Sequence, residues 1–561
     1  MAILQYFLVF SLAWAQSPVV DLGYTSYQGS SLSNGVSQWL GMRYAATPVG
    51  DLRFAAPQDP PTTGGVQQAT TYGPICIPVA GTLNAGVPQG TSEDCLSVDV
   101  FAPTEAVAAH KKLPVFFWIQ GGGFAENSNP NYNGTGLVEA SGNTIVVVML
   151  NYRVGPYGFL AGKEVEQGAS LNNGLKDQLK ALEWVQKHIS KVLQDPPPPL
   201  PTIPSIRISL TKHVQFGGDP EHVVIGGDSA GGAAVTLLLS AYGGRDDGLF
   251  IAAAAESQSF ASMLNVSESQ FAYDRLVNRT GCSNKKDTLA CLRGLDVNAL
   301  QRENIVTPLP GASGNPLYLY GPTVDGDLVQ DHTLSLFHEG KFIKVPVIFG
   351  DDTNEGTIFV TRNISSVSQA DTFIKNQFPT ITKYQLSKIN SMYLTKDQTR
   401  TFPNAGPYWR PASNAYGELR YICPGIDMSS VYAAAGVPSW NYHYAVLDPD
   451  AEATGTGTSH TVEVNALWGP DYVSGVPPAS YYTSNAGIIP VIQGYWTSFI
   501  RSLDPNTHRD PSSPEWKTWG NGDNAYWRIF MRTNQTRMER VPQKQQIRCN
   551  YLLGIGESLR Q

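Results

Sequence analysis

Residues 223–240 read VVIGGDSAGGAAVTLLLS. Val223, Val224 and Ile225 make a short buried strand ending at Gly227, and Ser229 to Ser240 forms an apolar helix. Between them stands Gly227-Asp228-Ser229-Ala230-Gly231, a G-x-S-x-G. Alone, that pattern is short enough to recur by chance. Set between a buried strand and a helix, it is the sharp turn that lifts a serine hydroxyl above a sheet. The flanking glycines follow from the tightness of the turn, where side chains would strike neighbouring strands and the helix itself.

Working outward, Pro114–Ile119 (PVFFWI) and Thr144–Leu150 (TIVVVML) are continuous apolar runs, the pattern of strands covered on both faces. Val223–Gly227 is a third strand, and Val345–Phe349 and Trp440–Val446 read as two more. Val19–Gln58 reads as short strands joined by glycine turns. Asn173–Ser190 places Leu175, Leu179, Leu182 and Val185 on one helical face. A late helix spans Ala486–Ser502 with Tyr495, Trp496 and Phe499. Buried strands alternating with helices predict an α/β protein with a large, mostly parallel central sheet. There is no internal repeat and no Ser/Gly linker.

Composition fits one large enzyme-sized body. Of 561 residues, 42% are hydrophobic and 15% charged, which is ample for a core and too little charge for a disordered chain. Asp+Glu total 47 against 39 Lys+Arg, a net charge of −8 with no basic block, which argues against nucleic acid as a partner. Residues 1–15 lack charged side chains and end in Ala13-Trp14-Ala15, a signal-peptide cleavage pattern, so the mature chain is expected to run from 16 to 561 as a single secreted domain. No later apolar run reaches the roughly 18 residues that span a bilayer. Six cysteines, Cys76, Cys95, Cys282, Cys291, Cys423 and Cys549, have no CxxC or zinc-ligand spacing and are expected to be disulfides. Five N-x-S/T sequons, at Asn133, Asn265, Asn278, Asn363 and Asn534, are glycosylation candidates.

A serine hydroxyl needs a base, and the base an orienting acid. Strand–turn–helix nucleophiles take their partners in the order Ser, Asp/Glu, His. His332, His338, His443, His460 and His508 are the candidate bases. His460 lies in a polar loop after a strand, His443 lies inside a strand as a structural residue, and His332 and His338 precede the acid. Glu355 follows the strand at 345–349, with Asp351, Asp352, Asp325 and Asp327 competing for the role of acid. Gly121-Gly122-Gly123, after another strand, can present bare N–H groups to a developing oxyanion, and Ala230 supplies a further one. Phe124 would wall the acyl side of the pocket. No metal or cofactor is called for.

At these residues the chain resembles the type-B carboxylesterase/lipase family, which also holds the cholinesterases, and is most similar to its secreted fungal esterases. Phe216-Gly217-Gly218, Val223, Ile225 and Gly227-x-Ser229-Ala230-Gly231 fit its active-site signature. Glu93-Asp94-Cys95-Leu96-Ser97-Val98-Asp99-Val100 resembles its second signature, with Ser97 where an aromatic or Thr is usual. Gly41-x-Arg43-Tyr44-Ala45, Asn151-Tyr152-Arg153-Val154-Gly155 and Gly174-Leu175-Lys176-Asp177-Gln178 resemble further blocks. The resemblance implies an α/β-hydrolase fold, Glu355 as acid, His460 as base with Glu463 in support, and Gly122, Gly123 and Ala230 as oxyanion donors. It also implies ion pairs Arg53–Glu93 and Arg153–Asp177, a contact of Ser259 with the acid, and disulfides Cys76–Cys95, Cys282–Cys291 and Cys423–Cys549.

The expected substrate is a small-molecule or lipid ester. The 18-residue loop from Ile77 to Asp94 has no aromatic residue, so it lacks the platform a quaternary ammonium requires. It is also short for an apolar lid, which favours a broad carboxylesterase over a lipase or sterol esterase. A non-catalytic adhesion domain is disfavoured by the presence of Ser229, Glu355, His460 and the triple glycine together.

One segment is out of character. Val192–Gln215 (VLQDPPPPLPTIPSIRISLTKHVQ) inserts 24 residues between helix and strand, where ~2–6 are usual. It has no helical or strand periodicity and is read as an atypical insertion. Its whole number of codons, a Val codon beginning GT and a Gln codon CAG are compatible with an intron translated in frame.

Overall fold

Eleven strands make one sheet in the computed structural model, which describes residues 18–127, 132–190, 216–520 and 525–561. In chain order they are β1 (Ser30–Ser31), β2 (Val36–Arg43), β3 (Ser97–Pro103), β4 (Leu113–Ile119), β5 (Val146–Leu150), β6 (Gly218–Asp228), β7 (Ala252–Glu256), β8 (Val347–Asp352), β9 (Ser439–Tyr444), β10 (Trp527–Met531) and β11 (Arg537–Arg540). Across the sheet the order is β11-β10-β9-β8-β7-β6-β4-β5-β3-β2-β1. The seven central strands β5, β4, β6, β7, β8, β9 and β10 are parallel, and antiparallel strands flank them at both sides. The expected α/β architecture is present.

The apolar runs are strands because both faces of the sheet are covered. Val115, Phe117 and Ile119 face one core, while Phe116 and Trp118 face another. β6 is longer than expected, beginning at Gly218, and the helix after Ser229 runs to Gly244 through non-helical residues at Ala241–Gly243. The late helix opens with a 3₁₀ turn at Ala486–Ile488 before Ile489–Ser502.

β7 was not legible in the sequence. Its residues, AAAAE, have little strand propensity, yet all five are buried between β6 and β8. The helix at 230–244 packs close against this strand. A Cβ at Gly232 would sit 2.8 Å from the Glu256 carbonyl oxygen.

The implied ion pairs brace the shell around the sheet. Arg53 Nε meets Glu93 at 2.6 Å, and its Nη1 donates to the carbonyls of Leu292, Arg293 and Leu295. Arg153 Nη2 meets Asp177 at 2.7 Å. The three disulfides pair as the resemblance implies. Asn265, Asn278, Asn363 and Asn534 are exposed; Asn133 is half-buried and its side chain accepts from the Thr135 N–H. No helix among the described residues is long and apolar enough to cross a membrane.

Asp99 on β3 is buried and accepts the Gly41 N–H at 2.7 Å. Burial pushes its carboxyl up to about 7. A folded-state pKa above the unfolded one favours folding below the unfolded value, and that stability is lost as pH rises towards the folded value. Asp99→Asn keeps the acceptor for Gly41 without the charge. The variant should therefore gain stability over the parent by about 1.4 kcal/mol per pH unit between the two pKa values. Melting curves over that range test this; a difference independent of pH refutes it.

The insertion at 192–215 lies outside the described residues. Its flanks meet, since the Gly218 N–H donates to the Ile189 carbonyl at 3.3 Å. Joining Lys191 to Phe216 restores a short helix-to-strand connection. Deleting 192–215 should leave secretion yield and ester hydrolysis at the parent level; loss of folded enzyme would show that the segment belongs to the fold.

Candidate active site

Ser229 occupies the hairpin between β6 and its helix with φ 55° and ψ −118°, a strained conformation for a residue with a side chain. The glycines on either side are required by the close approach of β4. A Cβ at Gly227 would lie 2.6 Å from the Ile119 carbonyl oxygen, and one at Gly231 would run into the same atom. Ser229 N–H donates to the Glu256 carbonyl at 2.9 Å, which ties the turn to β7.

His460 comes from the loop after β9. Its Nε2 lies 2.8 Å from Ser229 Oγ, and its Nδ1 is hydrogen-bonded to Glu355 Oε2. The rings of Tyr421 and Phe359, with centroids 4.5 and 4.9 Å away, hold the imidazole in place. Glu355 follows β8 on a 3₁₀ turn. Its Oε1 accepts the Asp352 N–H at 2.6 Å and the Ser257 hydroxyl at 2.8 Å. The structure thus brings together the three residues expected from the sequence.

The competing candidates are engaged elsewhere. Asp351 accepts from Gln258, Asp352 from the Val462 N–H, and Asp325 from Asn172. His332 faces the Met263 carbonyl and His338 faces Asp427. His443 bridges Thr353 and Glu539 within β9, as its place in a strand suggested. His508 is exposed.

One expectation is corrected. Ser259 does not contact Glu355; its Oγ accepts from Arg420 Nε at 2.8 Å. Ser257, two residues earlier, makes the contact instead, and its hydroxyl also lies 3.4 Å from Glu463. Both serines follow β7 within one short turn, and Ser257 has φ 48°. That left-handed kink swings the earlier residue toward the acid, which the linear pattern Glu256-Ser257-Gln258-Ser259 does not reveal.

Burial sets the electrostatics. It pushes His460 down to about 3, opposed by the nearby Glu463 charge and reinforced by Arg420, which favours the neutral imidazole. It pushes the Glu355 carboxyl up to about 8 against the pull of the Asp352 N–H and the Ser257 hydroxyl. Joined by a hydrogen bond, the two titrate as a pair.

The loop at 121–124 passes beside Ser229. Gly121 N–H donates to Asp228 Oδ1 at 3.1 Å, which pins it. Gly123 has φ 61°, and a Cβ there would enter the Tyr318 ring. Among the described residues, the N–H groups of Gly122, Gly123 and Ala230 have no protein acceptor. They are free to meet an oxyanion. Phe124 lines the cavity that reaches this loop.

The model of the Carboxylesterase family matches residues 16–196 and 211–550, a gap that falls inside the insertion. Secreted lipase 4 of Gibberella zeae is 30% identical over 541 residues, covering 92% of this chain and 90% of the relative. Secreted lipase 1 of Botryotinia fuckeliana is 30% identical, covering 87% and 84%. The crystal structure of Aspergillus niger EstA superimposes with a TM-score of 0.88 at 43% identity, covering 97% of this chain and 99% of that one.

Proposed function

The chain belongs to the carboxylesterase family and is a carboxylic ester hydrolase; from that premise we propose that it works through a Ser229–His460–Glu355 triad and an acyl-enzyme. The carrying observation is the 2.8 Å contact of Ser229 Oγ with a buried His460 whose far nitrogen meets Glu355. His460 Nε2 takes the hydroxyl proton as Oγ attacks the ester carbonyl. The Gly122, Gly123 and Ala230 N–H groups receive the oxyanion, each worth ~10²–10³ in kcat. His460 then hands its proton to the departing alcohol. Water enters by the same general-base route and releases the acid. Glu355 holds the imidazole in the tautomer with Nδ1–H and stabilises the imidazolium.

Residues 1–15 act as a secretion leader and 16–561 as a single catalytic domain. The relatives named as secreted and the three disulfides support export.

Six curated relatives, the two above among them, are named lipases, and that is the ground for a second reading as a lipase on long-chain esters. A broad carboxylesterase is favoured by the loop at 77–94. Asn304 accepts from Ala80, Arg302 from Asn84 and Asn298 from Val87, so the loop is pinned at three points. Its large exposed hydrophobic is Leu83. Such a loop offers little apolar face to a lipid surface. A series of p-nitrophenyl esters from acetate to palmitate should show turnover highest among the short acyl chains and no jump at the solubility limit. Peak turnover on emulsified palmitate would establish the lipase reading instead.

A further inference from the structure

The cavity beside Gly123 is walled mainly by apolar groups such as Phe124, Phe159, Leu237 and Phe260, yet Arg420 stands in the same wall. Arg420 is 5% exposed. A buried cation is costly unless it is paired, and this one has no carboxylate partner among the described residues. Its Nε donates to Ser259 Oγ at 2.8 Å and its Nη1 to Tyr416 OH at 2.7 Å. Nη2 has no protein acceptor among the described residues. The rings of Tyr318, Tyr416 and Tyr421 surround the guanidinium at 5.6–5.7 Å, a cation–π cradle that holds the charge without neutralising it.

The placement of this charge relative to the chemistry is equally specific. Tyr318 neighbours both: a Cβ at Gly123 would enter its ring, and the centroid of that ring lies 5.6 Å from the Arg420 guanidinium carbon. Ser259, which Arg420 positions, donates its backbone N–H to the Ser229 carbonyl. Arg420 itself lies in a π-turn at Glu418–Ile422 between two α-helices, an irregularity that helices often use to aim a functional side chain. Ser262 Oγ, buried without a protein partner, lines the same cavity.

We propose that Arg420 is a specificity-determining residue whose free Nη2, with the Ser259 hydroxyl, receives a carboxylate on the substrate, so that the preferred esters are short esters carrying a second, ionised carboxyl group. The proposal rests on the triad reading above, because it places the ester carbonyl at Ser229 and Gly123. The carboxylate can be carried on the acyl part or on the alcohol part, and two substrate arms separate these. One arm compares monoethyl glutarate with its primary amide; the other compares O-acetyl-lactate with its amide.

The parent enzyme should favour the charged member of at least one pair in kcat/KM. Arg420→Gln should lower that charged-to-neutral ratio by ~10–100-fold, and Arg420→Lys should recover part of it. The arm that responds identifies the side of the ester. A ratio that ignores Arg420 in both arms overturns the proposal, since a purely structural brace would depress both members equally. If the variants do not fold, competitive inhibition of the parent by glutarate, read against glutaramide, decides. Glutarate should bind ~10-fold more tightly, and equal inhibition overturns the proposal. Hydrolysis of either neutral ester that survives Ser229→Ala would sink the triad reading rather than this one.

Discussion

Ser229→Ala should lower kcat by on the order of 10⁵- to 10⁶-fold while leaving the protein folded and secreted. Among the described residues, Ser229 is the hydrogen-bond partner of His460 Nε2, and alanine, being smaller, adds no clash in the same turn. Labelling by a fluorophosphonate should vanish with the activity. The informative failure is specific. Two other serines stand close by, Ser257 hydrogen-bonded to Glu355 and Ser259 to Arg420. Stoichiometric labelling of the variant at either one would remove Ser229 from its role. Residual hydrolysis far above the uncatalysed rate, without labelling, would match the contribution of the oxyanion donors alone.

Glu355→Gln should lower kcat by ~10³–10⁴-fold with the fold intact. Glutamine can keep its carbonyl oxygen on the Asp352 N–H and the Ser257 hydroxyl, the two donors that Glu355 Oε1 now accepts. Its amide nitrogen then faces His460 Nδ1. An NH₂ there forces the ring into the tautomer with hydrogen on Nε2, which can donate to Ser229 but cannot take its proton. Replacing the carboxyl also removes a buried group whose ionisation burial opposes, so the melting temperature at neutral pH should not fall. The parent's kcat/KM should rise with pH as the Glu355–His460 pair loses one proton to give carboxylate and neutral imidazole. The variant should lose that limb. Full activity would move the acid's role to Asp351 or Asp352, against their bonds to Gln258 and Val462.

What could be read in the chain followed physical necessity. PVFFWI and TIVVVML announce strands because burial on both faces demands unbroken apolar sequence. The candidate nucleophile was legible because the turn needs glycine at 227 and 231 for steric reasons. The acid was open on sequence logic alone, since Glu355, Asp351 and Asp352 lie within five residues and only the fold decides which one faces His460. β7 was invisible because alanines signal a helix as readily as a strand. The Ser257/Ser259 exchange turned on one left-handed residue, which sequence spacing does not encode. Arg420 gave no signal at all: a lone arginine in a helical stretch reads as a solvated surface residue, and burial is what makes it notable.

The hydrogen bond from Ser229 to His460, on which the proposed mechanism rests, joins residues 231 positions apart in the chain. That separation is also an interval of time. At roughly 5–20 residues per second of synthesis, His460 follows Ser229 off the ribosome by roughly 10–50 s. Throughout that interval the serine turn exists without its base. On the proposed triad, the nascent chain lacks its general base until residue 460 is made, so a product truncated before that position should hydrolyse esters only at the residual rate that the rest of the site supports.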